Sequence, residues 1–296
     1  MDKKLKVAIA GAGRWGTALI DVFSRQADIR YCLYAGAEAT RHFLEKIYPA
    51  IKPTVSLQQI LDDKTIEAVV VATPASTHFG IASACLNAGK HVFLEKPGGI
   101  NSVELERLCE VAVNKRRVLA VGYKFVHHPV FKKIRTIFRK ESLIGICFEW
   151  NKWGTFDEPI VPHLLSHEIS LFCALGFHAP FARHYAQQGV VSKADIIDVT
   201  FESGHATIYC HINRVSPTPQ KSVTFVGASR SFIWSNNELF EITASSRMPV
   251  QVEQENPVVA EANDFLRSIY EGSTPLANGH FALAVFKTIE SINAPG

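Results

Sequence analysis

The sequence predicts an α/β protein: a doubly wound parallel sheet, followed by an α+β region with a large, mainly antiparallel open sheet. Three observations lead there. Over about the first 120 residues, short apolar runs alternate with amphipathic stretches, the pattern of βαβ units. Those apolar runs lack a clean period of two, as expected of strands covered on both faces. Beyond Gly122 the alternation stops, and short runs follow one another across turn signals, as in an antiparallel sheet.

Taken in order, Lys6–Ala10, Ile29–Tyr34, Ala68–Ala72, His91–Glu95 and Val118–Tyr123 read as strands, each rich in Val, Ile, Leu or Phe. Trp15–Arg25, Thr40–Tyr48, Thr77–Ala88 and Ser102–Asn114 read as the helices between them, with Thr77 and Ser102 as caps and Gly89 as a stop. Pro129–Lys140 then reads as a helix, Gly145–Trp153 as a strand and His163–Leu175 as a helix. From Phe181 to Val252 the chain reads as consecutive strands, among them Asp195–Phe201, Ala206–Arg214, Ser222–Val226 and Ser231–Trp234. Turn signals separate them at Glu202–His205, Pro217–Pro219 and Gly227–Ser229. Val259–Tyr270 and Phe281–Ile292 close the chain as helices, and the predicted domain boundary falls between residues 121 and 122.

Composition narrows the function without naming it. A chain of 296 residues with 47% hydrophobic and 20% charged residues folds as a globular protein of about two domains. A formal net charge of +3 gives no reason to expect a nucleic-acid partner. No apolar run approaches the roughly 18 residues of a membrane span. Met1-Asp2-Lys3-Lys4 leads straight into a short apolar run, unlike a secretory signal. Six scattered cysteines with no CxxC pair read as buried, reduced thiols, so a cytoplasmic chain is expected.

The segment Val7-Ala8-Ile9-Ala10-Gly11-Ala12-Gly13-Arg14-Trp15-Gly16 is a strand running into GxGxxG and then a helix. There the first glycine permits a tight turn, the second lets backbone approach a pyrophosphate, and the third lets helix and strand pack closely. Free N–H groups at the helix start favour the phosphate charge. Following the first strand of a β-α-β series, the loop points to a dinucleotide, with Gly11, Gly13, Arg14, Trp15 and Gly16 as expected contacts. The acid that commonly holds the ribose 2′-OH is missing from Ile29–Gly36, so NAD and NADP both stay open.

Two further turns end apolar runs at what would be the same edge. Val69-Val70-Val71-Ala72-Thr73-Pro74 is followed by Ser76-Thr77-His78, and His91-Val92-Phe93-Leu94 by Glu95-Lys96-Pro97-Gly98-Gly99. Carboxyl ends of parallel strands face the ligand crevice. A Glu-Lys pair there is costly unless used or paired. Thr73, Pro74, His78, Glu95, Lys96 and Pro97 therefore join the expected cofactor contacts, with Lys96 near the nicotinamide end. A surface turn with a solvated ion pair is the alternative left open at this point.

Together these residues resemble the Gfo/Idh/MocA family of NAD(P)-dependent oxidoreductases, and most the branch acting on sugars and nucleotide-activated sugars. The resemblance includes GxGxxG, the Ala72-Thr73-Pro74 turn, Glu95-Lys96-Pro97 and Gly122-Tyr123-Lys124-Phe125-Val126-His127-His128-Pro129. It continues through the helix holding His167 to Asn213-Arg214-Val215-Ser216-Pro217, Lys221 and Val226-Gly227. It implies a Rossmann domain over 1–121 that binds NAD or NADP. It also implies an α+β domain over 122–296 that meets substrate and forms a homodimer or homotetramer. The implied reaction moves a hydride between the nicotinamide and a secondary alcohol or ketone of a sugar, nucleotide-sugar or polyol. Lys96 is implied to contact the reacting hydroxyl, and His167 to be the acid/base. A free lysine, with a pKa of about 10.4, is a poor base at neutral pH, which agrees with that division. Lys96, Tyr123, His128, His163 and His167 are the expected substrate contacts. Lys124, Lys152 or Arg214 could meet a nucleotide diphosphate, or be solvated surface charges.

One departure bears on catalysis. The related branch shows Asp-x-x-x-His-Asp where this chain has His163-Leu164-Leu165-Ser166-His167-Glu168. Residues four apart share a helical face, so His163 and His167 are expected to be neighbours, and His163 becomes a catalytic candidate. Either it relays a proton, or the chemistry differs, or catalysis has been lost. The last option leaves a second function open: an inactive NAD(P)-binding regulator or scaffold on the same fold. Two histidines at this spacing also suit zinc, but no HExxH and no third ligand accompany them, so no metal is expected.

Overall fold

The computed structural model describes residues 4–177, 181–204 and 206–292; Met1-Asp2-Lys3, and His205 of the expected turn, lie outside the described residues. The chain begins β1 (Lys6–Ala10), α1 (Arg14–Phe23), β2 (Asp28–Leu33), α2 (Glu38–Ile47), β3 (Lys52–Thr54), α3 (Leu57–Asp62), β4 (Ala68–Val71), α4 (Ala75–Asn87), β5 (His91–Glu95), α5 (Ser102–Lys115) and β6 (Leu119–Gly122). These six strands form one parallel sheet in the order β3-β2-β1-β4-β5-β6. The order reverses between β1 and β4, the switch point at which such sheets leave a crevice beyond the strand ends. Val7 to Ala10 and Ala68 to Val71 are wholly buried, which is why their sequence shows no alternation.

Small differences from the sequence reading have local causes. β3 and α3, three and six residues long, are too short to establish a period. Asn101, one residue before Ser102, caps α5, its side chain accepting the Glu104 N–H at 2.8 Å. α4 starts at Ala75, ahead of Thr77, while Gly89 ends its exit turn at φ +78°.

Beyond β6 come a 3₁₀ turn (Lys124–His127), α6 (Pro129–Ile137), β7 (Leu143–Trp153), a π-helical turn (Val161–Leu165) and α7 (Ser166–Ala174). There follow β8 (Phe181–Gln188), β9 (Ile196–Ser203), β10 (Ala206–Asn213), β11 (Val215–Gly227), β12 (Ser231–Ser235), β13 (Glu238–Ile242) and β14 (Arg247–Val250). α8 (Pro257–Glu271) and α9 (Gly279–Ile292) complete the order.

The chain divides into two compact units. The first runs to Lys124 and also takes in Asn256–Leu283, a stretch that a division at 121/122 leaves in the second domain. The cause is apolar. Phe265 of α8 packs on Phe23 and Phe93, with ring centroids 6.4 and 5.7 Å away, and Ala262 and Leu266 join the same buried cluster. Burying the Phe265 and Leu266 side chains stabilises by about 1.5–3 kcal/mol each. The segment after α8 then covers the edge of β6, where Val121 N–H donates to Ala277 O at 2.8 Å.

The second unit, Phe125–Glu255 with the segment from Ala284, is built on eight strands in the order β14-β13-β12-β11-β7-β10-β9-β8. Its pairs are antiparallel except β7 with β10. That parallel pair arises because α7 and the β8-β9 hairpin intervene and supply a crossover. Ile208, Cys210 and Ile212 of β10 and Ile197, Val199 and Phe201 of β9 are buried on one face. There Phe172 of α7 packs against Phe148 and Phe201. Tyr209 and Cys147 lie on the opposite, exposed face, so Cys147 departs from the buried thiols expected and found at the other five cysteines. The turn expected at Pro217–Pro219 is an irregularity inside β11, whose pairing jumps from Val215↔Trp153 to Gln220↔Asn151. Among the described residues no helix is long and apolar enough to cross a membrane.

Candidate functional site

In the first unit the three glycines of the loop differ physically. Gly11 turns the chain out of β1 at φ +114°, and its N–H donates to Leu33 O at 2.9 Å. A Cβ on Gly11 would lie 2.3 Å from Ala72 O, and one on Gly16 would lie 2.2 Å from Gly11 O. Both positions therefore exclude a side chain through the protein's own packing. Gly13 is extended, at φ −76° and ψ −176°, and a Cβ there would meet nothing within 4 Å. The fold itself gives no reason for that glycine; close approach of a ligand to the backbone does. α1 starts here with no capping side chain and no acid in its first turn, leaving amide N–H groups to an anion. Arg14 and Trp15 are exposed beside it. The loop thus fits a dinucleotide pyrophosphate.

The turns after β4 and β5 are joined by one imidazole. His78, 1% exposed, places one ring nitrogen 2.7 Å from Pro97 O and the other 2.8 Å from Thr73 O. The expected cofactor contact at His78 is thereby a brace between two turns. Thr77 supports the first, its hydroxyl 2.7 Å from both the Thr73 hydroxyl and Pro74 O. The Lys96–Pro97 peptide bond is cis.

Glu95 ends β5 as a buried carboxyl group. It accepts the Lys96 N–H at 3.2 Å. Gly122 makes room for it, since a Cβ there would lie 2.9 Å from Glu95 Oε1. Burial pushes the Glu95 carboxyl up to about 7, against the opposing pull of Trp15 and of the Lys96 and Lys124 charges. Lys124 holds its ammonium 4.9 Å from the Trp15 ring centroid. Tyr123 is buried with its ring edge-on to Phe281, a packing position rather than an accessible substrate contact.

In the second unit His167 lies in the first turn of α7, buried, with its ring 4.9 Å from that of Phe125 and 6.0 Å from that of Trp150. The same two rings receive Lys221, whose ammonium is 3.8 and 3.6 Å from their centroids and 3.0 Å from Glu168 Oε1. Burial raises Glu168 above the ordinary carboxylate range while the Lys221 charge opposes it. His163 pairs through Nδ1 with Glu158. It sits in the π-helical turn while His167 is on α7, so the uniform α-helical spacing assumed for them does not hold. His128 caps α6: Nδ1 accepts the Val130 N–H at 3.3 Å and Nε2 lies 3.2 Å from Asn237 Oδ1. Both of its nitrogens are committed inside the protein, which replaces the expected substrate contact. Arg214 is buried against Asp195 at 3.0 Å, not a solvated charge, and Lys152 Nζ lies 3.2 Å from Thr155 Oγ1. Among the described residues no three His, Cys, Asp or Glu side chains are grouped to hold a metal ion.

A parallel sheet in this order, with a glycine loop at its first turn, defines a dinucleotide-binding Rossmann fold. Residues 5–123 match the family model described as "Oxidoreductase family, NAD-binding Rossmann fold". A scyllo-inositol 2-dehydrogenase (NADP(+)) of Bacillus subtilis is 31% identical over 146 residues, 48% of this chain and 39% of that protein. A UDP-N-acetylglucosamine 3-dehydrogenase of Acidithiobacillus ferrooxidans is 26% identical over 151 residues, 48% of this chain and 47% of that protein. The chain thus spans less than half the length of these curated relatives. The crystal structure of the latter enzyme superposes over 97% of this chain and 96% of its own with a TM-score of 0.91 at 20% identity, a likeness of fold.

Proposed function

We propose that this protein is an oxidoreductase that moves a hydride between NAD or NADP and a secondary alcohol or ketone of a sugar, nucleotide-sugar or polyol. The observation that carries the reading is the contrast within the glycine loop, where Gly11 and Gly16 are closed by the protein and Gly13 is open to a ligand. The inositol and UDP-sugar dehydrogenases among the relatives support the substrate class. When bound, the nicotinamide supplies the hydride acceptor or donor. Lys96, at the end of β5, holds and polarises the substrate oxygen, with its backbone fixed by Glu95. In the oxidative direction His167 takes the hydroxyl proton, and His163 with Glu158 supplies a carboxylate-linked imidazole for its release. Assembly as a homodimer or homotetramer through the outward face of the eight-stranded sheet, in the cytoplasm, belongs to the same reading; the exposed Tyr209 on that face supports it.

The test begins with NADH and NADPH binding, followed by fluorescence. Sugars, polyols and nucleotide-sugars are then screened for a change in nicotinamide absorbance. On the substrate so found, Lys96→Met and His167→Asn are expected to lower kcat by about 10²–10⁴-fold, with nucleotide binding retained in the His167 variant. Near-normal turnover in both variants sinks the assignment. Tight nucleotide binding with no turnover of any compound favours the regulator that the His163 replacement suggests.

A further inference from the structure

The second unit holds a buried cation that the proposed reaction does not use. Arg214 lies between β10 and β11 and is 2% exposed. Its Nε donates to Asp195 Oδ1 at 3.0 Å and its Nη2 to Ser192 Oγ at 2.6 Å. The remaining part of the guanidinium serves another segment. Nη1 donates at 2.6 Å to both Thr155 O and Glu158 O, in the loop that joins β7 to the π-helical turn. The Gly154 N–H donates to Arg214 O at 3.1 Å, and the Phe156 ring centroid lies 5.6 Å from the guanidinium carbon. The loop is one that needs holding. Thr155 stands at φ +63°, a left-handed conformation that is strained for a β-branched residue and persists only where its surroundings impose it. The same loop carries Glu158, whose carboxylate pairs with His163 Nδ1. The Glu158 side chain is itself about half exposed, so its backbone, gripped by Arg214, decides where the carboxylate sits.

We propose that Arg214 is a positioning residue: it clamps the loop after β7 so that the Glu158 carboxylate is held on His163 Nδ1. The inference rests on reading His163 as part of the proton path. A carboxylate at Nδ1 orients the ring, fixes the neutral form as the Nδ1–H tautomer and stabilises the imidazolium once a proton arrives. The other charged or titratable groups on the neighbouring elements are Lys152 of β7, which feels the Glu158 and Arg214 charges, Asp157 of the loop and His167 of α7. Replacing Arg214 by Lys keeps a cation beside Asp195 and removes the grip on the two carbonyls, so position is tested apart from charge.

The experiment uses the whole protein as wild type, Glu158→Gln, Arg214→Lys and the double variant. The His163 imidazole is followed by NMR in protein labelled with ¹⁵N at histidine, from about pH 5 to pH 9, its signal assigned by its loss in His163→Asn. Removing the carboxylate destabilises the imidazolium, so the His163 midpoint in Glu158→Gln is expected to fall by about one pH unit. Arg214→Lys is expected to shift it by a similar amount and to lose the Nδ1–H tautomer preference. The double variant is expected to move no further than Glu158→Gln, because both changes act through one contact. On the substrate found by the screen, kcat is expected to fall by a common factor in all three variants. A His163 titration left unchanged in Arg214→Lys, with only the melting temperature lowered, overturns the proposal, since Arg214 then serves packing alone. Shifts that add in the double variant overturn it as well. If Arg214→Lys does not fold, Asp195→Asn with Arg214→Gln, which removes both buried charges together, takes its place with the same outcomes. If no compound is turned over, the oxidoreductase reading fails, while the His163 titration still decides whether Arg214 places Glu158.

Discussion

Asp195 in the second unit and Glu95 and Glu261 (the latter on α8) in the first are similarly buried, yet their pKa values move in opposite directions. Asp195 lies between β8 and β9. Its Oδ2 accepts the amides of Val190, Val191 and Ser192 at 2.7, 2.6 and 2.7 Å. Its Oδ1 accepts the Ser192 hydroxyl at 2.6 Å and Arg214 Nε at 3.0 Å. Burial alone would raise this carboxyl, but the Ser192 hydroxyl and the three amides outweigh it and hold Asp195 well below the usual range. In the first unit burial meets few donors, and both glutamates go up. Burial therefore does not say what an acid is for; the number of donors aimed at it does. A saturated carboxylate fastens a turn, whereas an unsaturated one is available to hold a proton.

The comparison is broken most directly at Arg214, which also donates to Thr155 O, Glu158 O and Ser192 Oγ, each at 2.6 Å. Arg214→Met leaves the Asp195 charge buried without its cation and is expected to cost about 3–5 kcal/mol in urea unfolding. A loss below about 1 kcal/mol would show that the amide cradle suffices alone. Next in size is Gly16→Ala, which forces a methyl group into Gly11 O and is expected to cost about 1–3 kcal/mol and abolish nucleotide binding. Gly13→Ala sharpens the contrast. It is expected to leave stability within about 0.5 kcal/mol of wild type and still weaken NAD(P)H binding; unchanged binding would remove the main support for a ligand at this loop.

The pH dependence of stability separates the two kinds of acid. Glu95 binds its proton more tightly folded than unfolded, so its contribution is present below the ordinary value of 4.5 and is lost as pH rises to about 7. Asp195, lowered in the fold, contributes above the ordinary value of 3.8 and fails as pH falls below it. Each proton is worth at most about 1.4 kcal/mol per pH unit. The melting temperature of Glu261→Gln relative to wild type is therefore expected to climb from pH 5 to pH 8, and a flat difference would contradict a Glu261 carboxyl raised by burial.

What the sequence revealed follows the same physics. β1, β4 and β5 were legible because complete burial writes a continuous apolar run. The glycine spacing was legible too, but not that Gly13 alone is open, which depends on where Ala72 and Gly11 place their carbonyls. α8 showed an apolar face, but periodicity does not say which unit that face covers. The pairing of His163 with Glu158 depends on a π-helical turn that no hydrophobic period signals.

The return of α8 to the first unit also sets an order of events during synthesis. The first unit begins before the second, yet it is not complete until the chain has reached Leu283, beyond all the strands of the second. Until translation has passed Phe265, the faces of Phe23 and Phe93 that this ring covers have no native partner. The eight-stranded sheet, whose strands are all made by then, has its full set of pairing partners earlier. A nascent chain of this kind passes through a stage with every strand of the eight-stranded sheet made and aromatic surface of the first unit still open, a natural point for chaperones to engage it.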